Sequence, residues 1–473
     1  MSDLRAAEAA SFRDPAGRVV LLGDRVLRGV RAEALADLDA FLASPLAQKL
    51  LSDGRLVRTT TVTDAPAELQ PLFAGAARVV EHERIAFPAY AYEWSPAMLH
   101  AAGVLTLELA AALPGAGLGL KDATPYNVLF RGSQPVFVDV LSVERREPRD
   151  ATWLPYAQFV RTFLLPLLAW KKFKLPLRDV FLAHRDGLEP EDLYRMTGPV
   201  ERWLPPLLGL VTMPTRLGAK HSADDQTIYQ PKLLNDPEQA RYVLGAQLRG
   251  LRGKLDALAP AADKSTWSDY MKTHSYSEQQ FAGKEQFVRA ALAEVAPKSV
   301  LDAGCNTGFF SLLAAERAGT SVVALDYDPE VVDRVFREAR SRQADVLPLV
   351  VDLTRPSPAT GWRNRECPAW LERARGRFDL VLLLALIHHM LVSERIPLDD
   401  VLALAAELTR DAAVVEYVDP ADAMFKRLTR GRDALHRELT PAAFEAAAQR
   451  RFAIVRKLEQ GTRTLYLLRK KAA

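Results

Sequence analysis

Apolar and polar positions follow two different rhythms along this chain, and the change falls near residue 284. Residues 11–98 carry short β-like runs: "RVVLLGDRVLRGV" (18–30), "GRLVRTTTV" (54–62) and "FPAYAYEW" (87–94). A helical pattern, "AEALADLDAFLAS" (32–44), lies between the first two. From 96 to 215 the pattern is mostly helical, broken at 118–142 by loop and strand signals. Residues 218–266 are polar and helix-forming, and read as a connector.

After 284 helix and strand alternate. A helix in "KEQFVRAALAEVA" leads to strand "KSVLDAG", helix 309–317, strand 321–326, helix 329–341 and strand 346–352. After a Pro-rich loop come strand 378–385, helix 399–409 and strand 412–418. This alternation predicts an open, mostly parallel α/β sheet. The last two runs, 451–459 and 462–470, are almost contiguous. A parallel crossover needs a dozen residues or more, so they predict an antiparallel hairpin.

Composition adds exclusions. The 473 residues suffice for two or three domains, and 49% apolar with 26% charged content is globular. A net charge of +3 gives no broad attraction for nucleic acid or anionic membrane. Two cysteines, Cys305 and Cys367, exclude a disulfide scaffold and suit a cytoplasmic protein. The runs "FLLPLLAW" (163–170) and "LVLLLALI" (380–387) are too short to span a bilayer. The N-terminus lacks the apolar core of a signal peptide.

The strongest chemistry lies in "VLDAGCNTGFF" (300–310). Asp302, Gly304 and Gly308 form D-x-G-x-x-x-G between a strand and a helix, with Asn306 inside the turn. Glycines there let the chain turn sharply and let a ligand approach the backbone. Asp326 ends the next strand, where a carboxylate can accept ribose hydroxyls. Asp352 ends the third, where an acid can accept from an adenine amino group. The glycine spacing is wider than the G-x-G-x-x-G of dinucleotide binders.

This array resembles class I S-adenosylmethionine-dependent methyltransferases, whose hallmark is an antiparallel seventh strand. The resemblance implies S-adenosylmethionine as cofactor. Gly304 and Gly308 would border its methionine part, Asp326 its ribose, and Asp352 with Leu353 its adenine. An arm ahead of the domain, "WSDYMKTHSYS" (267–277), makes Tyr270, His274 and Tyr276 candidates to lie over the cofactor. His388 and His389, just past the fourth strand, are candidate catalytic bases, as is Glu416 on the fifth. Tyr417 and Asp419 face the same edge. The basic run "KRLTRGRDALHR" (426–437) is either a solvated face or a grip for an anionic acceptor.

A second signal precedes this one. In "LKDATPYNVLFRGSQPVFVD" (120–139), Asp122 and Asn127 have D-x-x-x-x-N spacing and Asp139 follows a β-like run. The stretch resembles the catalytic loop of the aminoglycoside-phosphotransferase branch of the kinase-like fold. That resemblance implies Asp122 as base and Asn127 with Asp139 holding Mg²⁺ against ATP phosphates. The departures are large. Lys121 precedes Asp122, no Gly-rich loop appears in 11–31, and Lys49 is the only lysine before Lys121. Arg58 is a candidate substitute for the missing strand lysine.

The order of "DPAG", "KDATPYN", "LDAGCNTGFF" and "ALIHHM" along the whole chain is similar to that of bacterial methyltransferases related to nodulation proteins. The expected fold class is α/β, a C-terminal seven-stranded Rossmann-like sheet plus an N-terminal α+β domain of degenerate kinase-like or acceptor-recognition type. The expected domains are 1–215, a helical connector 216–266, and 267–473. The expected function is methyl transfer to an oxygen or nitrogen acceptor, a small molecule or glycan rather than nucleic acid, without membrane insertion. The alternatives are a bifunctional kinase–methyltransferase and a non-catalytic cofactor sensor.

Overall fold

A computed structural model describes residues 8–9, 14–63, 71–218, 233–261 and 277–472. The chain divides into two compact units. The first is Met1–Pro260 with the short excursion Thr360–Cys367, and the second is Ala261–Ala359 with Pro368–Ala473.

In the first unit, β1 (Glu8–Ala9), β2 (Gly17–Leu22), β3 (Arg25–Val30), β4 (Thr59–Thr61) and β5 (Arg78–His82) form one antiparallel sheet. Its order is β1-β2-β3-β5-β4. The run read as one strand over 18–30 is a β2–β3 hairpin, turned at Gly23, whose φ of 55° a glycine adopts freely. The strand expected over 54–62 shortens to β4, and 87–94 holds a single 3₁₀ turn, Ala91–Glu93. That turn exists because the Glu93 carboxylate accepts the Tyr90 N–H, offering the backbone a local partner in place of a sheet neighbour.

The remainder of this unit is largely helical. It holds the small strands β6 (Leu118–Leu120), β7 (Val128–Arg131), β8 (Gln134–Phe137) and β9 (Val143–Arg145). The helix Pro96–Ala112 is apolar on all sides and buried along most of its length. With the turn that follows, it is long and apolar enough to cross a membrane, yet 67% of that stretch is buried inside the protein. The expected connector requires correction. Helix Pro237–Ala257 belongs to the first unit and buries Ala240, Leu244, Leu248, Leu251 and Leu255. Their spacing of three and four puts them on one face, and Leu255 meets Gly103 of the apolar helix.

The second unit has a seven-stranded sheet of order β12-β11-β10-β13-β14-β16-β15. Its strands are β10 (Ser299–Ala303), β11 (Ser321–Asp326), β12 (Val346–Val350), β13 (Phe378–Leu383), β14 (Thr409–Val418), β15 (Phe452–Gln460) and β16 (Arg463–Lys470). The first five are parallel, and β16 runs antiparallel to both neighbours. The central strands are covered on both faces, which is why they read as near-continuous Val, Leu and Ala rather than as alternations. Helix Pro329–Ser341 starts on an Asp328 cap with proline at its first position. Helix Glu278–Val295 starts on a Ser277–Gln280 capping box.

Candidate active site

The topology fixes where a ligand can enter. The chain moves from β10 outward through β11 to β12, then returns to lay β13 on the other side of β10. Crossover helices therefore diverge at β10 and β13, leaving a crevice beyond their carboxyl ends. Asp302 pairs in register with Ala324 of β11 and Leu382 of β13, so the D-x-G-x-x-x-G turn emerges at that crevice.

The turn is built by left-handed residues: φ is 72° at Gly304, 48° at Asn306 and 79° at Gly308. A Cβ at Gly308 would stand 2.8 Å from Val335 Cγ1, so glycine is needed for conformation and for close helix packing. A Cβ at Gly304 would stand 3.2 Å from Leu386, on the segment leaving β13. Glycine at both positions thus allows close packing, against Val335 of helix Pro329–Ser341 and against Leu386.

Asp302 is buried and accepts the Ser311 hydroxyl at 2.6 Å. Burial pushes its carboxyl up to about 6, against the pull of Ser311 and Lys284. Asp326 ties the turn to the next strand, accepting the Asn306 N–H at 3.1 Å and the Asp328 N–H at 3.1 Å. Burial raises its carboxyl as well. Asp352 accepts both the amide and the hydroxyl of Thr354, and Leu353 beside it is buried. The proposed cofactor residues Asp302, Gly304, Asn306, Gly308, Asp326, Asp352 and Leu353 therefore lie at the carboxyl ends of three adjacent strands. They suit a nucleoside bearing an amino-acid tail: bare backbone for close approach, then two carboxylates in succession for hydroxyls and an amino group. Tyr270, with His274 and Tyr276, lies outside the described residues.

The catalytic candidates separate by environment. His388 is buried, and its Nδ1 has no hydrogen-bond partner among the described residues. Burial, then His389 and Arg463, push it down to about 3, outweighing Glu416 and Asp422. It is a neutral imidazole at any ordinary pH. His389 is exposed, its ring centroid 4.3 Å from that of His388, and desolvation lowers its pKa.

Glu416 has a different setting. One oxygen accepts from Lys284 Nζ at 2.7 Å and the other lies 3.4 Å from Arg463 Nη1. Arg463 in turn donates to Asp422 at 3.1 Å. Burial opposes ionisation of Asp422, but donors from Thr462 and Arg463 outweigh it and hold its carboxyl below the usual range. A carboxylate held between two cations is a weak base, so this geometry speaks against Glu416 as a proton acceptor. Tyr417 is buried, with its hydroxyl donated to the Leu439 carbonyl at 2.7 Å.

Lys284, Arg463 and Asp422 were not singled out in the sequence. For Lys284 the signal is present, because it lies three residues after Phe281 and three before Phe287, on the apolar stripe of its helix.

In the first unit, Asp122, Asn127 and Asp139 do converge. Asp139 and Asp14 help burial raise the Asp122 carboxyl, despite Lys121. Asn127 Nδ2 donates to Ser142 Oγ at 3.0 Å, and Ser142 donates to Asp139 at 2.6 Å. The other Asp139 oxygen accepts from Arg28 Nη1 at 2.7 Å. Arg28, buried on β3, is the strand cation that reaches Asp139. Its remaining terminal nitrogen goes to Asp14. This donor set does not fit a magnesium–triphosphate group. Both Asp139 oxygens are already engaged, and two carboxylates, Asp14 and Asp139, already pair with Arg28. Among the described residues no three His, Cys, Asp or Glu side chains are grouped to hold a metal ion.

A family model described as "Methyltransferase domain" matches residues 276–452. Over 463 residues the chain is 31% identical to nodulation protein NoeA of Rhizobium meliloti (strain 1021), covering 97% of this chain and 95% of that protein. The chain belongs to the NoeA family. Similar solved structures include the monomeric form of WbdD, with TM-score 0.30 and 20% identity over 41% of this chain and 42% of that one. They also include magnesium protoporphyrin IX methyltransferase from Synechocystis PCC 6803, with TM-score 0.30 and 18% identity over 43% and 93%. This NoeA-family chain is an S-adenosylmethionine-dependent methyltransferase with a Rossmann-like second unit and an α+β first unit.

Proposed function

We propose that the second unit transfers a methyl group from S-adenosylmethionine to an oxygen or nitrogen atom of a small-molecule or glycan acceptor at the carboxyl edge of the sheet. The observation that supports this reading is the Asp302–Gly308 turn tied to the Asp326 carboxylate at the carboxyl ends of β10 and β11, with the helix of His388 and His389 following β13. When bound, the cofactor supplies an electrophilic sulfonium methyl. The chain's own residues align and desolvate. Gly304 and Gly308 leave room for the amino-acid tail, Asp326 orients ribose hydroxyls, and Asp352 with Leu353 fixes the adenine. In-line displacement needs positioning and exclusion of water above all. In this reading His389, exposed on the helix that follows β13, takes a proton from the acceptor. Neutral, buried His388 supports it from behind.

Titration calorimetry with S-adenosylmethionine tests the cofactor half. The wild type should bind one equivalent, and Asp326→Ala should bind at least about tenfold more weakly for loss of a charge-assisted pair of hydrogen bonds. Wild-type protein that does not bind, or a variant that binds as tightly, refutes the reading. Methyl transfer from labelled cofactor to fractionated lysate then identifies the acceptor fraction.

For the first unit we infer a role in presenting or recognising the acceptor, not phosphoryl transfer. The engaged oxygens of Asp139 support this. ATP turnover that requires Mg²⁺ and disappears in Asp139→Ala would overturn it.

A further inference from the structure

The basic run at 426–437 is absorbed neither by the cofactor site nor by the ion-pair cluster. It forms one wall of a cavity of about 810 Å³ within the second unit. The opposite wall is residues 391–398, which begin in helix Ile387–Val392 and end in helix Leu398–Leu408. The helix that carries His388 and His389 in its first turn thus contributes Leu391 and Val392 to the cavity from its last. At 1.5 Å rise per residue its six residues span roughly 9 Å.

The lining is mixed, and beside its apolar and cationic parts it includes the carboxylate of Glu438. Leu391, Ile396, Pro397, Leu428 and Leu439 are apolar. Leu435, among the lining residues, is 75% exposed. Arg395, Arg427, Arg430 and Arg432 are cationic. Arginines elsewhere in the chain commonly pair with carboxylates, as Arg450 does with Asp399 and Arg456 with Glu294. None of these four pairs with a carboxylate among the described residues. Arg427 Nη1 donates to the Met424 sulfur at 3.7 Å.

Two of the four are also held at a cost. Arg395 has φ 56° and Arg430 has φ 50°, and Gly431 follows at 82°. A non-glycine residue in that region carries a strain that glycine would avoid.

We propose that this cavity binds the acceptor, and that the acceptor is an anionic amphiphile: an apolar body in the cavity and a phosphate, sulfate or carboxylate on the arginines. Apolar walls reject a fully hydrated polyanion, while four arginines favour a compact anion that accepts forked hydrogen bonds. This rests on the methyl-transfer reading, since the shared helix would place the bound molecule beside His389.

The test uses dodecyl phosphate below its micelle concentration, with dodecyl maltoside as the neutral counterpart, on the full chain. Calorimetry should give one dodecyl phosphate per chain, bound at least about tenfold more tightly than the maltoside and weakening as salt rises. Arg430→Glu with Arg432→Glu should lose that preference while S-adenosylmethionine affinity is unchanged. Arg430→Gly is the folding control. It should unfold at the same or a higher temperature, because glycine accepts the left-handed backbone, and still bind dodecyl phosphate more weakly. Equal affinity for the neutral and anionic probes, or undiminished binding in the variants, overturns the proposal. So does a single-stranded oligonucleotide that competes at lower concentration than dodecyl phosphate. Dodecyl phosphate binding without S-adenosylmethionine binding would refute the methyl-transfer reading alone.

Discussion

Replacing Glu416 by glutamine separates a scaffold from a catalyst. Lys284, Glu416, Arg463 and Asp422 are each less than 10% exposed, at 5%, 1%, 7% and 9% for the side chains. These directly paired groups carry two positive and two negative charges. Glu416→Gln keeps the shape and hydrogen-bonding reach of the side chain but leaves the cluster with a net buried positive charge. Removing one partner of a buried pair costs about 3–5 kcal/mol, because the other charge stays desolvated. For a unit of this size each kcal/mol lowers the midpoint by about 2–4 °C, so the expected fall is roughly 6–20 °C. Lys284→Met alone should fall comparably. The double variant restores balance, so its loss should be smaller than the sum of the two, by about 1–3 kcal/mol. Circular dichroism melts of the four proteins give the cycle. Calorimetry with S-adenosylmethionine below the melts shows whether the crevice survives. If Glu416 were instead the proton acceptor, the glutamine variant would melt within about 2 °C of wild type and bind cofactor normally while methyl transfer was abolished. That result refutes the scaffold argument.

Gly308→Ala should lower stability by about 2–5 kcal/mol, from the left-handed backbone and the 2.8 Å approach to Val335; a thermal melt unchanged from wild type would contradict the geometry. Acid should destabilise both units. His388 is depressed to about 3 and His82 to about 4, each first by burial, so the folded forms stay neutral while the unfolded chain takes up protons below about pH 6.5. Their contribution is complete above pH 6.5 and is lost as pH falls toward those values, by up to about 1.4 kcal/mol per pH unit each. His388→Gln should flatten that slope in denaturation measured between pH 7 and 5, and an unchanged slope would contradict it. Arg28→Leu should destabilise the first unit, since Asp14 and Asp139 lose a shared buried partner; a gain in ATP affinity on adding Mg²⁺ to the wild type would show that the Asp139 pairing opens for a ligand.

The second unit was legible because its signals are local and redundant. Val300–Gly308 is strand, turn and helix start within nine residues, and the parallel strands other than β13 are apolar runs closed by an acid or glycine. Even the terminal hairpin follows from loop length alone. What escaped there was pairing across distance: Lys284 and Glu416 are 132 positions apart, and Arg463 and Asp422 are 41 apart. Nothing in either neighbourhood names the other. A lysine on an apolar helix stripe signals burial, but its partner must be supplied by the fold.

The first unit was legible in the opposite sense, with residues visible and meaning hidden. Asp122, Asn127 and Asp139 stand at the spacing of a phosphate-handling loop, and they do converge. The reading turns on Arg28, an inward-facing cation in "RVLRGV" that propensity alone treats as strand surface. Once β3 turns that side chain inward, its two carboxylate partners use the positive charge that would meet a phosphate, and Ser142 uses the oxygen that would meet a metal. Two of the loop residues that resemble a catalytic set, Asn127 and Asp139, are then linked through Ser142. A spacing motif identifies which side chains meet; whether they are free to act depends on what else the fold brings to them, and here the decisive residue lies 111 positions from its partner.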